Sequence, residues 1–112
     1  MKTFATICIG LFLVTTGKLA AQTTTIKKDS LIWYSDYMTV HEISKSSNKP
    51  IFAFFTGSDW CGWCHKLQAN VFAKADFITW ANKNVVLLEL DFPKRKQLPT
   101  ELAQQNYSLQ QQ

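Results

Sequence analysis

The stretch Ile51-Phe52-Ala53-Phe54-Phe55-Thr56-Gly57-Ser58-Asp59-Trp60-Cys61-Gly62-Trp63-Cys64-His65-Lys66-Leu67 decides how this chain is read. Its first five residues form a continuous apolar run bounded by Pro50 and Gly57, the pattern of a short strand buried on both faces and expected at the centre of a sheet. Gly57 to Trp60 reads as a loop, and a helical pattern then runs from about Cys61 through Leu67 and Val71 to Phe72. Cys61 and Cys64 therefore sit where a strand loop becomes a helix, and one helical turn brings the second thiol beside the first.

That placement carries chemistry. A thiol attacks only as the thiolate, and an unperturbed cysteine with a pKa of about 8.5 is mostly protonated at neutral pH. At a helix start the Cys61 sulfur would face unpaired backbone N–H groups and the positive end of the helix dipole, both of which favour negative charge. Cys61 would attack a substrate disulfide to give a mixed disulfide, and Cys64 would resolve it. A purely structural disulfide is the poorer explanation, because so small a closed loop restricts the unfolded chain only modestly.

Cys61-Gly62-Trp63-Cys64-His65 also matches the attachment signature of c-type haem, with His65 as proximal ligand and His41 or Met38 as a distant second. The aromatic strand before the motif suits a sheet better than a haem pocket. Cys61, Cys64 and His65 lack an evident fourth metal ligand, so neither a metal nor any other cofactor is expected. As a cation, His65 could favour the neighbouring thiolate, although an exposed first-turn histidine fits equally well. Trp63 is a substrate contact or an apolar lid over the sulfurs, and His41 is a packed or surface residue.

Working outward, Leu31 to Tyr34 can form a first strand, and Ser35 or Asp36 can cap a helix carrying Tyr37, Met38, Val40, His41 and Ile43 at helical spacing. Asn48-Lys49-Pro50 ends it. Beyond the motif, Asp76 is placed to cap a helix over Phe77 to Lys83, closed by Asn82 to Asn84. Val85 to Asp91 reads as a second mostly apolar strand that Phe92-Pro93 stops, and a last helix opens at Thr100 and Glu101 in the segment Pro99 to Gln112. This alternation predicts an α/β domain with parallel strands, in which Trp33, Tyr34, Phe72, Phe77 and Trp80 supply core.

Before the domain, Lys2 precedes an apolar run from Phe4 to Val14, followed by small residues at Ala20 and Ala21, as in a secretory signal. The run is about 11 residues against the ~20 a spanning helix needs, so no permanent membrane anchor is expected. Residues 1–22 are assigned to the signal, 23–30 to a polar linker and 31–112 to the domain. Cleavage near Ala21 or Gln22 would remove Cys8, leaving Cys61 and Cys64 as the only cysteines. It would also remove Lys2 and Lys18, leaving 10 basic against 8 acidic residues and lowering the net charge from +4 to +2. The remaining lysines are scattered apart from Lys94-Arg95-Lys96, which reads as a solvated turn, so nothing implies a nucleic-acid partner. Export places the protein outside the cytoplasm, with the periplasm expected.

The run Phe54 to Leu67 resembles the active-site strand, loop and helix of the thioredoxin-like family, in particular exported bacterial members with Gly-Trp or a similar dipeptide between the cysteines. The similarity continues through Val71-Phe72, the Phe77 to Lys83 helix and the Val85 to Asp91 strand, covering about Leu31 to Gln112. A bare C-x-x-C is a weak signal; the preceding Trp60 and the buried strand upstream make this one specific. The resemblance implies an exposed nucleophile in Cys61, a buried resolving thiol in Cys64 and an apolar lip in Trp60; beside it, Asp59, Gly62, Trp63 and His65 are read from their positions as substrate-binding or modulating neighbours. Its implied partners are protein disulfides and a redox partner protein.

Two departures accompany it. Many members carry a buried acid in the central strand, whereas Ile51 to Phe55 has none, leaving Asp59, Glu89 or water for proton transfer. The family also continues into a cis-proline loop, two antiparallel strands and a final helix. Neither Pro93 nor Pro99 stands where that proline belongs, so the domain is expected to lack those elements. The rival of a different class is a non-catalytic fragment, since a small parallel sheet buries little surface.

Overall fold

A computed structural model describes residues 30–112; the signal and nearly all of the linker assigned above lie outside the described residues. Strand β1 spans Trp33–Tyr34, and Asp36 caps helix α1, Tyr37–Ser47, by accepting from the Thr39 N–H and hydroxyl at 2.7 and 2.6 Å. Asn48 then turns left-handed with φ 53°, closing α1 through its N–H on the Ser44 carbonyl, as an asparagine at a helix C-terminus can. Strand β2, Ile51–Thr56, leads into helix α2, Gly62–Leu67, which widens into a π turn over Gln68–Phe72. Helix α3, Ala75–Asn84, strand β3, Val86–Asp91, and helix α4, Thr100–Gln110, complete the order.

The three strands form one parallel sheet in the order β1-β3-β2, with Trp33 opposite Leu87 and Ile51 to Thr56 opposite Val86 to Asp91. This is the α/β architecture of parallel strands flanked by helices, but the centre belongs to β3. The expectation that Ile51 to Phe55 is central is corrected: among the described residues β2 is an edge strand, and its Ala53 and Phe55 are exposed. Both strands read as apolar runs, and only the pairing reveals which is flanked twice. Three smaller boundaries also move. Lys74 takes the cap position of α3 and Asp76 its first turn, where a carboxylate still favours the helix dipole. The helix after Cys61 is not one regular α-helix but carries the π turn, which brings Phe72 onto the sheet. Trp80, expected in the core, is 46% exposed at its margin.

The sheet's alternation assigns its two faces. On one, Val86, Leu88 and Leu90 pack with Val40 of α1, joined by Tyr37, Ile43 and Leu109, so α1 and α4 cover this side. Gln105 of α4 strengthens the contact by accepting from the Tyr37 N–H at 2.8 Å and donating to the Ser35 carbonyl. On the other face the rings of Trp33, Phe52, Phe54, Phe72 and Phe77 meet edge to face or tilted, with centroids 4.8–6.2 Å apart. Such geometries add to area burial because positive ring edges meet negative faces.

Glu89 is the polar intruder on that aromatic face, opposite Phe54 in register. Burial, then the charge of Asp91, raises its pKa above the ordinary 4.5, with Lys96 opposing. The folded state therefore holds this proton more tightly than the unfolded chain, and the ionised carboxylate destabilises the fold as pH rises through the folded pKa. Glu89→Gln is expected to raise the thermal midpoint at neutral pH, with the gain fading as pH falls towards 4.5 and below. Thermal melts across pH 4–8 would check the sign; a gain that persisted unchanged in acid would refute it.

Candidate active site

The site grows from the end of β2. After Thr56 the chain turns at Gly57, whose carbonyl accepts the N–H groups of Trp60 and Cys61 at 3.1 and 2.8 Å. Gly57 is buried under the Trp60 indole, and a β-carbon there would run into the ring. Trp60 is held in place by its Nε1–H, which donates to the Phe92 carbonyl at 2.7 Å. Gly57→Ala should therefore expel the indole and break that bond, costing about 1–3 kcal/mol in a urea titration and shifting tryptophan emission. An unchanged midpoint and spectrum would show that the ring can yield freely.

Cys61 occupies the cap position of α2, and its sulfur accepts from the Cys64 N–H at 3.3 Å. The two cysteines are joined as a disulfide, with Cα atoms 5.3 Å apart, and both are half-buried. They line a small cavity of about 210 Å³ with Thr56, Trp60, Phe92 and Gln110. The Thr56 hydroxyl is buried there without a hydrogen-bond partner among the described residues. On its other side Cys64 borders an open apolar groove along β2, shared with Phe54, Phe55, Trp63 and Leu67.

The neighbours singled out from the sequence take distinct positions. Trp63 is 80% exposed, with the Lys66 ammonium 4.4 Å from its ring centre, so it projects from the site and does not lid it. Gly62 has open space where a side chain would be. His65 turns its Nε2 to the Ser58 carbonyl at 2.9 Å, tying the helix back to the loop. Asp59 is engaged by the loop after β3: its carboxylate accepts the backbone N–H groups of Lys94, Arg95 and Lys96 at 2.9, 2.8 and 3.2 Å. The Lys94 N–H bond is the main reason its pKa lies below the ordinary carboxylate value.

Sequence reasoning missed the underside of this loop. Ser58 donates its N–H and hydroxyl to Asp91 at 2.8 and 2.6 Å, and Asp91 also pairs with Lys96 at 3.2 Å. Burial opposes ionisation of Asp91, but these bonds prevail and its pKa is lowered. An acid closing a mostly apolar strand was the available signal. His41, named for haem ligation, instead packs on Tyr37 of α1, on the far side of the sheet from Phe72 and α3. In this structure the two sulfurs are bonded to each other and His65 to Ser58. Among the described residues no cluster of three or more His, Cys, Asp or Glu side chains could hold a metal.

A disulfide closed within the first turn of the helix after a parallel strand, on a β1-β3-β2 sheet, defines a class. The chain belongs to the thioredoxin-like family, whose profile matches residues 32–110. It is 40% identical over 93 residues to a protein named disulfide bond reductase DsbH from Chlamydia pneumoniae, a match covering 83% of this chain and 55% of that protein. It is 31% identical over 109 residues to the thioredoxin-related protein DsbJ of the same organism, covering 97% of this chain and 30% of that one. The solved structure of a DsbH oxidoreductase superposes with a TM-score of 0.70 at 38% identity, over 86% of this chain and 66% of that one. The chain thus spans about half or less of the length of these two curated relatives.

Proposed function

We propose that this chain is a thiol–disulfide oxidoreductase acting on protein disulfides outside the cytoplasm, in the reductive direction. The observation that carries the reading is the Cys61–Cys64 disulfide at the start of α2, with the Cys64 N–H directed at the Cys61 sulfur. A donor that concentrates positive charge at that sulfur favours its thiolate and makes Cys61 the attacking group. In the reduced protein Cys61 attacks one sulfur of a client disulfide, and the other client sulfur leaves as a thiolate that takes up a proton. Cys64, deprotonated, then attacks the Cys61 sulfur, releasing the second client thiolate and closing the Cys61–Cys64 bond. Two electrons pass to the client, and a partner dithiol must return them.

The printed name of the 40%-identical relative, a disulfide bond reductase, supports the reductive direction. Trp60 and Trp63, 48% and 80% exposed, offer apolar surface beside the sulfurs to an approaching polypeptide. The N-terminal pattern at residues 1–22, followed by the polar segment 23–30, supports export by a cleaved signal. No helix among the described residues is long and apolar enough to cross a membrane.

The test is reduction of a fluorophore-quenched disulfide peptide by the pre-reduced chain. Stoichiometric release of fluorescence, absent from Cys61→Ser/Cys64→Ser, is expected. A rate equal to that of buffer would overturn the reading.

A further inference from the structure

The basic run Lys94-Arg95-Lys96 lies in the loop between β3 and α4, far from the cysteines in sequence, yet it is fastened to the segment that precedes Cys61. Three successive residues of that segment hold it. Ser58 binds Asp91 through its N–H and hydroxyl, Asp59 takes the backbone N–H groups of all three basic residues, and the Trp60 indole donates to the Phe92 carbonyl. Because Asp59 engages the backbone, the side chains of Lys94 and Arg95 remain available, while Lys96 pairs with Asp91. Lys94 lays its ammonium 4.4 Å from the centre of the Trp60 ring, at the lip of the disulfide. Lys66 does the same over Trp63 on the opposite side.

The charges around the dithiol do not cancel. Lys66 and Lys94 lie over the two tryptophans beside it and Arg95 and Lys96 follow Lys94 in the loop, against the carboxylates of Asp59, Asp91 and the half-buried Glu89. Asp91 is occupied by Ser58 and Lys96, and Asp59 by backbone N–H groups. Among the described residues, Lys66, Lys94 and Arg95 form no direct salt bridge, and Arg95 acts on Asp59 through its charge alone. All three are exposed, so what they offer an approaching molecule is a field of one sign and not a closed pocket.

We propose that Lys94 and Arg95, held beside Trp60 by Asp59, make the dithiol site selective for client disulfides flanked by Asp or Glu side chains. The inference rests on the exchange reading above and adds its substrate class. Like-signed charge on a client raises the energy of encounter, and opposite charge concentrates the client at the sulfurs. The effect is one of rate and is screened by salt.

The experiment compares three fluorophore-quenched disulfide peptides that differ only in the residues flanking one cysteine, being acidic, neutral or basic, each reduced by the full chain at low and at high ionic strength. At low salt the acidic peptide is expected to react about tenfold faster than the neutral one and the basic one slower still, with the differences contracting at high salt. Lys94→Gln/Arg95→Gln keeps the backbone bonds to Asp59 and should bring the acidic-to-neutral ratio to about twofold or less. Lys45→Gln/Lys83→Gln removes the same net charge from the ends of α1 and α3, where the chain enters β2 and β3 at the opposite end of the sheet, and should leave the ratio as it is. Equal rates for the three peptides, a ratio indifferent to salt, or a ratio surviving in Lys94→Gln/Arg95→Gln would overturn the inference while reduction of the neutral peptide upheld the exchange reading. Failure to reduce any peptide would sink both.

Discussion

Cys64→Ser is expected to accumulate covalent complexes with client proteins, while Cys61→Ser accumulates few or none. The expectation follows from the unequal places of the two thiols. Cys61 caps α2 and receives the Cys64 N–H, whereas Cys64 lies inside the first turn between the small cavity and the apolar groove. Removing Cys64 leaves the attack intact and deletes the group that resolves its product, so the mixed disulfide persists. Removing Cys61 deletes the attack itself. Non-reducing gels of the two variants after exposure to a disulfide-bearing protein read the difference directly. Alkylation of the reduced wild-type chain at mildly acidic pH should modify Cys61 well before Cys64, because the thiolate is the reacting species. Equal trapping and equal labelling would mean that the pair is not an asymmetric exchange site.

The second large effect concerns the core. Leu88 is 1% exposed at the middle of the central strand, opposite Tyr34 on one side and Ala53 on the other, in the cluster that Val40 seals from above. Leu88→Ala removes buried methyl groups where three strands and α1 meet, and neighbours so placed have little freedom to collapse into the space. A loss of about 2–5 kcal/mol in denaturant unfolding is expected. The same truncation at Met38, 60% exposed on the outer side of α1, should cost well under 1 kcal/mol. If both variants melted alike, the cluster around Val40 would not be the core that stabilises the sheet.

Much of this arrangement could be read from local pattern. The Asp36 cap, the asparagine that ends α1, the strand before Gly57 and the helix after Cys61 each rest on residues within a few positions of one another. They fell within a residue or two of the observed elements. Strand order is another matter. Ile51 to Phe55 and, apart from Glu89, Val86 to Leu90 are both apolar runs, and composition cannot say which has a neighbour on both sides. That is settled by β1, two residues long, choosing β3 as its partner. Within the site, the cysteine pair and its aromatic flank were visible because the chemistry demands adjacent residues. The fastening of Ser58, Asp59 and Trp60 to positions 91–96 was not, because each bond spans more than thirty residues and joins groups that are ordinary in isolation. Asp59 shows the difficulty best. An acid two positions before a cysteine invites a catalytic reading, yet its partners are three backbone amides that no side-chain pattern announces.

Those same amides bear on how the site would meet the clients proposed for it. An irregular connection between a strand and a helix ordinarily samples many conformations, and a partner that needs it in one of them must supply the ordering free energy at each encounter. Here the Asp59 carboxylate fixes three consecutive residues of the connection, the Trp60 bond fixes its first residue, Phe92, and the Ser58 bonds fix Asp91 at the end of β3, before anything approaches. The entropy of that segment is lost once, when the chain folds, and in the proposed exchange reaction a dithiol forming and releasing a covalent complex in every cycle would work from a rim that is already preorganised.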